Sequence, residues 1–211
     1  QLEVGKVMAL VTDAGTPGIS DPGAILVKHI RSHDFPVIPI PGANAAACAL
    51  SAAGIVNSHF LFYGFLPTKS GLRKRELTAL QSHPYTLVFY ETPHRIVESI
   101  TDMIDIFGSK REITIARELT KLFETFHSGT LESSLNWLQS DANQQKGEFV
   151  LLVSGTEIAD QSEIDDQAKH TLQCLLSELP LKQAVKLTAD ITRKNKNALY
   201  QLALQLKTTD I

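Results

Sequence analysis

Apolar residues recur along the chain in two rhythms, one typical of buried strands and the other typical of amphipathic helices. Continuous apolar runs predict strands at residues 7–12, 36–40, 60–65, 86–90, 113–116, 123–127 and 149–153. Helical spacing is clearest in residues 92–108, where we expect Thr92 to cap the helix, Pro93 to open it and Gly108 to end it. Because strands and helices alternate, the pattern predicts an α/β layered fold.

Shorter helical patterns follow other predicted strands. Asp21 is placed to cap a helix that Pro22 opens, and an alanine-rich helix is expected over residues 43–53. A basic helix is predicted for residues 72–81, and a short helix that carries Trp137 follows residue 130. After Gly155 the composition changes. Residues 156–180 contain six acidic residues and one Lys, and residues 181–207 contain six basic residues and one Asp, which predicts an acidic linker and a small helical module.

Composition narrows the class of protein. The 211 residues include 20 Lys and Arg against 23 Asp and Glu, a net charge of −3, which argues against coating nucleic acid through bulk charge. Two cysteines, Cys48 and Cys174, indicate neither a disulfide scaffold nor a zinc site, and no metal is expected. With no signal peptide and no apolar run of the ~18 to 20 residues that a membrane span needs, we expect a cytoplasmic protein. Because Gln1 stands just before a predicted strand, we expect the chain to lack its natural start.

Three loops that follow predicted strands are candidate ligand sites. Ligands of open α/β sheets bind at the carboxyl edge of the strands, here expected to be parallel, and the loops 13–17, 39–45 and 90–95 would meet there. Gly15 would let a ligand approach the backbone. Tight turns and close helix packing explain the first two loops equally well. Signatures of dinucleotide, nucleotide, zinc-protease and serine-hydrolase sites are absent.

Clusters of basic residues have two interpretations. Residues 69–75 and 193–196 carry several positive charges, and residues 117–121 mix both signs. Such clusters are either solvated surfaces, whose ion pairs contribute only ~0 to 1 kcal/mol, or contacts to the phosphates of a nucleic acid.

Several segments taken together resemble one family. The matching stretches are residues 13–23, 39–45, 64–67, 89–95, 116–121 and 146–150, and residues 182–206 resemble a small C-terminal helical domain. They resemble the bacterial ribosomal RNA small-subunit methyltransferase I family, which is similar in fold to the tetrapyrrole methylases. The family's opening strand and loop have no counterpart here. The resemblance therefore implies a two-domain tetrapyrrole-methylase-like α/β fold whose first domain is incomplete, plus a small C-terminal helical domain.

The resemblance also implies a domain plan and an activity. Residues 1–57 would be the remainder of the N-terminal α/β cofactor domain, residues 58–155 the second α/β domain, and residues 156–211 the acidic linker and helical module. The implied reaction is 2′-O-methylation of a cytidine in 16S rRNA of the small ribosomal subunit. S-adenosylmethionine is the implied methyl donor, and the implied assembly is a homodimer.

Candidate site residues follow from the resemblance. Cofactor contacts would come from Asp13, Ala14, Gly15, Asn44, Ala45, Tyr90, Glu91 and Gly129. A positioned base is expected because a ribose hydroxyl is a poor nucleophile until its proton leaves, and the candidates are Glu91, His94 and Glu118. Contacts to RNA would come from Lys69, Arg73, Lys74, Arg75, Arg95, Arg117, Lys121, Arg193, Lys194 and Lys196.

Two other functions stay open at this point. A tetrapyrrole methylase of the precorrin type would share the fold and would not need the basic helical tail. Alternatively, a truncated and inactive chain would still fold its second domain and bind RNA. Binding of S-adenosylmethionine distinguishes the inactive chain from the two enzymes.

Overall fold

The computed structural model describes residues 1–156, 164, 166–192 and 194–209. The helices are α1 (Ala24–Arg31), α2 (Ala45–Ala52), α3 (Ser70–Leu80), α4 (Ile96–Phe107), α5 (Leu131–Ser140), α6 (Asp166–Glu178), α7 (Leu181–Thr192) and α8 (Lys196–Thr209). The strands are β1 (Phe60–Phe65), β2 (Thr86–Glu91), β3 (Glu112–Arg117), β4 (Thr125–Thr130) and β5 (Phe149–Val153). The chain divides into two compact units, Gln1–Thr156 and Glu157–Ile211. A separate domain boundary at residue 57 stays a prediction.

The first unit is built on a mixed five-stranded sheet in the order β1-β2-β5-β3-β4. Strands β1 and β2 are parallel, and the remaining neighbours are antiparallel. The expectation of a parallel sheet is therefore wrong beyond the first pair. Strand β5 returns between β2 and β3, so that its amino end lies beside the carboxyl ends of both neighbours. This arrangement brings the ends of four strands to one edge.

Alternate residues of the central strands face two different layers. Phe89, Ile115 and Leu151 belong to the large apolar core on one face, which helices α3, α4 and α5 cover. Val88 and Val150 belong to a smaller core on the other face, where the alanines of α2 pack. Because side chains of a strand alternate between faces, these runs are buried on both sides and read as continuously apolar.

Two predicted strands are absent from the sheet. Residues 7–12 and 36–40 pair with no other strand in the described chain. Most of their side chains are exposed, Val7 by 99% and Ile40 by 81%. A strand needs a neighbour for its backbone hydrogen bonds and a layer that covers its apolar face. Neither is present at these two segments, so the prediction of strands there is wrong.

The observed helix ends test the capping predictions made from the sequence. Helix α2 begins after Asn44, whose Oδ1 accepts a hydrogen bond from the backbone N–H of Ala47 at 3.0 Å. Helix α1 begins after Gly23 with no side-chain cap, so Asp21 is not its cap. Helix α4 begins after Arg95 rather than at Thr92, and it ends at Gly108 as predicted. The failure at Asp21 leaves that carboxylate without the role that its sequence position suggested.

The second unit is a bundle of the three helices α6, α7 and α8 around a small apolar core. Leu172, Val185 and Leu199 are fully buried in it, one from each helix. The helical pattern predicted for the tail is confirmed for the residues that the structure describes. Across that same part of the chain, each helix falls short of the length and apolar character needed to cross a membrane.

Candidate active site

A cavity lies at the edge of the sheet where β1, β2 and β3 end. It is lined by Phe65 at the end of β1, Tyr90 near the end of β2, Leu119 just after β3 and Val150 near the start of β5. Its volume is about 510 Å³. Small-molecule sites have volumes of about 300–1,000 Å³, so a ligand of cofactor size fits this cavity.

Three loops that the sequence analysis singled out line this cavity together. Gly15 comes from the first loop, Asn44 and Ala45 from the second, and Tyr90 from the third. Ala14 lines the cavity beside Gly15. The structure thus gathers most of the expected cofactor residues around one space, although the segment before the first loop is not a strand.

Two hydrogen bonds join the three loops to one another. Thr16 Oγ1 donates to the carbonyl of Ala43 at 2.9 Å and links the first loop to the second. The backbone N–H of Ala46 donates to Tyr90 Oη at 3.1 Å and links the second loop to the third. Gly15 adopts a φ of +70°, a left-handed conformation that glycine accepts without strain. The cavity wall is therefore held by bonds between distant parts of the chain.

Tyr90 acts as a positioning residue at the cavity wall. Burial raises the pKa of its hydroxyl, and the hydrogen bond from the Ala46 N–H acts in the opposite direction. Its ring also packs edge-on against Phe62 and Phe65, with ring centres 5.0 and 5.6 Å away. The hydroxyl stays protonated at neutral pH and accepts a hydrogen bond from helix α2.

Glu91 lines the cavity, but every oxygen of its buried carboxylate is engaged. Oε1 accepts from the Thr92 N–H at 2.8 Å and pairs with Arg95 Nη2 at 2.8 Å. Oε2 accepts from Ser99 Oγ at 2.6 Å. Because three donors occupy both oxygens, this geometry argues against a role for Glu91 as the base. Arg95 is held in the same pair and donates to the carbonyl of Leu66 at 3.3 Å, and its contact with RNA stays a prediction.

Glu118 lies in the turn between β3 and β4, where its carboxylate accepts hydrogen bonds from neighbouring groups and does not line the cavity. Its Oε1 accepts from Lys121 Nζ at 2.8 Å and from the Glu148 N–H at 2.9 Å. These bonds, with that from Lys121 first, lower the pKa of Glu118. A side chain at Gly147 would collide with Glu118, which explains the glycine at that position. Because a weaker base takes a proton less readily, Glu118 is a poor candidate for the catalytic base.

Lys121 faces the cavity with its ammonium shared by two carboxylates. Besides Glu118, it pairs with Glu148 Oε2 at 2.9 Å, and hydrogen bonds to the two carboxylates raise its pKa. Glu148 is a surface group, 75% exposed, whereas the Glu118 side chain is 18% exposed. The ammonium is charged and its local environment is acidic, which weakens the case for a phosphate contact at this position.

Three other expected site residues lie outside the cavity wall. His94 is exposed in the turn before α4 and does not line the cavity. Asp13 is exposed and precedes the lining residue Ala14. Gly129 pairs with Ile113 at the amino end of β3 because β4 is antiparallel to β3, so it lies at the opposite edge of the sheet. Gly129 and His94 therefore do not belong to this cavity wall, and their roles in cofactor binding and proton transfer stay predictions.

Part of the predicted basic surface is structural. Arg73 is only 1% exposed and its Nε pairs with Asp102 Oδ2 at 2.6 Å, which joins α3 to α4. Lys74 pairs with Asp105 at 2.6 Å. Arg117 is buried and donates to the carbonyls of Asn143 and Lys146. Burial contradicts RNA binding by Arg73 and Arg117, because a phosphate cannot reach them.

The remaining basic candidates are accessible. Lys69 is exposed just before α3, and Arg75 is exposed with one ion pair to Glu76 at 3.1 Å. Lys196 is exposed at the start of α8, and Lys194 is half-buried between α7 and α8. Arg193, the other basic residue of that turn, lies outside the described residues. Their contact with RNA stays a prediction.

Sequence reasoning missed several residues of the cavity wall. They are Thr16, Ile19, Ser20, Asp21, Cys48, Phe65, Leu119, Thr120 and Glu148. Ser20 and Thr120 adopt left-handed backbone conformations, with φ of +54° and +63°, although neither is a glycine. Strained residues of this kind cluster at functional sites, but strain of a serine or threonine is not visible in a sequence. Asp21 was not predicted as a cavity residue because its position before Pro22 suggested a helix cap instead.

Comparison with known proteins identifies the family. The family model described as Tetrapyrrole (Corrin/Porphyrin) Methylases matches residues 1–134. The model described as RsmI C-terminal HTH domain matches residues 162–207. Among solved structures, the methyltransferase CobJ is similar with a TM-score of 0.51 at 18% identity, over 67% of this chain and 62% of that chain. That structural likeness shows the fold.

Curated relatives match nearly the whole chain. The Ribosomal RNA small subunit methyltransferase I of Pseudomonas aeruginosa is 49% identical, over 97% of this chain and 73% of the relative. The proteins of the same name from Vibrio cholerae and Escherichia coli O157:H7 are 48% and 45% identical, over 95% and 97% of this chain and 70% and 71% of theirs. Identity of 45% to 49% over nearly the full chain shows the family to which the chain belongs. The chain is a methyltransferase that belongs to the ribosomal RNA small subunit methyltransferase I family, within the tetrapyrrole methylases.

Proposed function

We propose that this chain transfers a methyl group from S-adenosylmethionine to the 2′-oxygen of a cytidine in 16S rRNA. The observation that carries the proposal is the cavity that Gly15, Ala45 and Tyr90 line together in a member of this family. The curated relatives are named for methylation of ribosomal RNA of the small subunit, whereas the likeness to CobJ is confined to the fold. Relatedness therefore favours RNA over a tetrapyrrole as the methyl acceptor.

The cavity suits the donor in size and in the character of its walls. A volume of about 510 Å³ accommodates a nucleoside-sized ligand. Ala14, Gly15, Ala43 and Ala45 offer backbone groups with little side-chain bulk, and a flat ring can lie close to such a wall. When bound, S-adenosylmethionine supplies a methyl group that is already activated by its sulfonium. The task of the chain is then to hold the donor and the acceptor oxygen in line.

Alignment of the reactants supplies much of the rate. Effective molarities of well-oriented reactions correspond to ~7 to 11 kcal/mol of the barrier. Thr16 and Tyr90 contribute indirectly, because their hydrogen bonds fix the loops around the ligand space. Leu119 and Thr120, which follow β3, line the same cavity and are available to contact the acceptor.

Accessible cations support binding of RNA. Lys69 and Arg75 are exposed at and near the start of α3, and Lys196 is exposed in the second unit. The match of residues 162–207 to a helix-turn-helix model is consistent with a nucleic-acid contact there. A cytidine whose ribose must enter a cavity is most accessible in single-stranded or locally unpaired RNA. A homodimer in the cytoplasm rests on the family resemblance alone, and analytical ultracentrifugation of the full chain measures the assembly.

The first test measures binding of the donor. Calorimetric titration of the full chain with S-adenosylmethionine should give saturable binding at one site. Ala45→Leu fills the cavity and should weaken binding about tenfold or more, which corresponds to ~1.4 kcal/mol. Ala52→Leu adds the same bulk to an exposed position of the same helix and should leave the affinity unchanged. Absence of binding in the unaltered chain would contradict the proposal and support the inactive alternative.

The second measurement identifies the acceptor. Labelled S-adenosylmethionine is supplied with unmethylated small ribosomal subunits, with free 16S rRNA and with a tetrapyrrole, and the product is digested to nucleosides. We expect label in a 2′-O-methylcytidine from one of the RNA substrates. Label in the tetrapyrrole and none in RNA would overturn the assignment of the acceptor.

A further inference from the structure

The cavity wall contains three carboxylates, and two of them are already committed. Glu91 is buried and accepts bonds from Thr92, Ser99 and Arg95. Glu148 points to solvent and pairs with Lys121. Glu91 has no unoccupied oxygen, and Glu148 is largely exposed and is paired through Oε2 with an ammonium group. The third carboxylate is Asp21.

Asp21 lines the cavity and has no structural explanation. Its predicted role as a helix cap is wrong, because α1 begins after Gly23 without any side-chain cap. Within residues 1–156, all of which the structure describes, the carboxylate makes no hydrogen bond and no ion pair. It is half-buried, so a ligand can reach it although it is partly shielded from bulk solvent. A polar side chain in this situation is available for chemistry.

The loop that carries Asp21 is held against the sheet. The N–H of Ile19 donates to the carbonyl of Thr16 at 3.2 Å, and Ser20 adopts a φ of +54°. Ser20 Oγ lies 2.6 Å from the place that a Cβ on Gly64 would occupy, so the glycine of β1 permits the close approach of this loop. The carboxylate thus sits on a backbone that packing with β1 positions, next to loops that line the same cavity.

We propose that Asp21 is the base that removes the proton from the ribose 2′-hydroxyl, an inference that rests on the proposed function. The O2′–H bond breaks and its proton passes to the Asp21 carboxylate as the oxygen attacks the methyl carbon. The O2′–CH₃ bond forms while the S–CH₃ bond breaks, and the electron pair of that bond stays on sulfur. The protonated Asp21 then releases its proton to water. Charge and atoms balance without any further reactant.

This assignment replaces the three bases that the sequence suggested. Glu91 is saturated by donors, His94 lies outside the cavity wall, and the Lys121 ammonium weakens Glu118 as a base. Asp21 combines access to the ligand space with free acceptor oxygens. A positioned base contributes about 10²- to 10⁴-fold to such a transfer.

The test compares two Asp→Asn variants of the full chain. Asp21→Asn removes the base with almost no change in shape. Asp34→Asn removes the same charge from an exposed turn of the same segment, where a φ of +60° suits asparagine as well as aspartate. For each protein the methyl-transfer kcat at saturating donor and RNA, the KM for RNA, the pH profile of kcat and the calorimetric affinity for S-adenosylmethionine are measured. Thermal unfolding checks that each variant is folded.

The proposal expects one pattern of results. In Asp21→Asn, kcat should fall about 100-fold or more while donor affinity and the KM for RNA change less than about threefold. The unaltered chain should lose kcat toward acid pH, and this loss should disappear in Asp21→Asn. Asp21→Glu should recover part of the activity, and Asp34→Asn should match the unaltered chain.

Other patterns overturn it. A kcat within about threefold of the unaltered chain in Asp21→Asn would show that another group takes the proton. Lost donor affinity with a normal kcat at saturation would make Asp21 a binding residue instead. If the unaltered chain binds the donor but methylates no RNA, the proposed function fails together with this inference. If it methylates RNA and Asp21→Asn does so equally well, only this inference fails.

Discussion

The sheet of residues 60–153 and the segment before it, residues 1–59, contain similar apolar runs in different surroundings. Phe89 in β2 is fully buried, whereas Val11 in the first run is 80% exposed. Strands β2 and β5 pair over five residue positions. Residues 7–12 pair with no strand of the described chain. An apolar run thus becomes a strand only where a neighbouring strand accepts its backbone hydrogen bonds.

The early segment is nevertheless attached to the sheet through small residues and loops. Ala46 and Ala49 of α2 are buried against Val88 and Val150. The loops before α1 and before α2 reach the cavity at the carboxyl edge. The two regions therefore meet at the candidate active site, and substitutions in each should have different consequences for stability and for ligand binding.

The largest expected effect separates the two regions by stability. Phe89→Ala leaves a hole in the large core and should lower the free energy of unfolding by about 3–5 kcal/mol. Val11→Ala removes methyl groups from an exposed side chain and should change it by less than about 0.5 kcal/mol. Urea unfolding of both variants, monitored by circular dichroism, measures the difference. Equal losses would mean that residues 7–12 are covered in solution.

A smaller effect is expected where the regions are joined. Tyr90→Phe removes the acceptor for the Ala46 N–H and should weaken S-adenosylmethionine binding about fivefold, equivalent to ~1 kcal/mol. Tyr85→Phe is the matched control, because the Tyr85 hydroxyl has no hydrogen bond in residues 1–156. Calorimetric titration compares the two. An unchanged affinity in Tyr90→Phe would show that the bond between the second and third loops does not shape the ligand space.

The smallest effect concerns pH. The pKa of Glu118 is lowered chiefly by Lys121, so the folded chain holds a proton at this carboxylate less readily than the unfolded chain does. The resulting stability is present above the ordinary glutamate pKa of about 4.3 and is lost as the pH falls through the folded value. Lys121 and Glu148 are surface groups, so the contribution is about 1 kcal/mol or less.

Glu118→Gln tests that contribution. The variant should be less stable than the unaltered chain at pH 7, and the difference should shrink as the solution is acidified below pH 4. Glu112→Gln, at an exposed carboxylate at the start of β3, should give no such pH-dependent difference. Thermal unfolding at several pH values measures both. A difference that stays constant with pH would contradict the role of the Glu118 charge.

Much of the sheet was predictable because its signals are local. The continuous apolar runs of β2 and β5 and the apolar stripe of α4 that Gly108 ends belong to residues close together in the sequence. The antiparallel return of β5 between β2 and β3 was not predictable, because it depends on pairing between strands more than 30 residues apart. The same limit explains the strands wrongly predicted at residues 7–12 and 36–40.

The sequence predicted which loops form the site. It did not predict the roles of the charged side chains. The positions of Gly15, Ala45 and Tyr90 at the ends of apolar runs indicated a common ligand space, and the structure brings them together. The sequence equally suggested Arg73 as a cation for RNA and Asp21 as a helix cap. Burial against Asp102 removed the first role, and the start of α1 after Gly23 removed the second.

The sequence by itself determined where this chain forms its central strands and helices, because periodic burial is a property of neighbouring residues. It also determined the family through motifs spread over the chain. Only the tertiary structure decided which charged groups are occupied and which are available. The partners of Glu91, Arg73 and Glu118 come from other elements, and the energy of an ion pair depends on distance and burial rather than on sequence position.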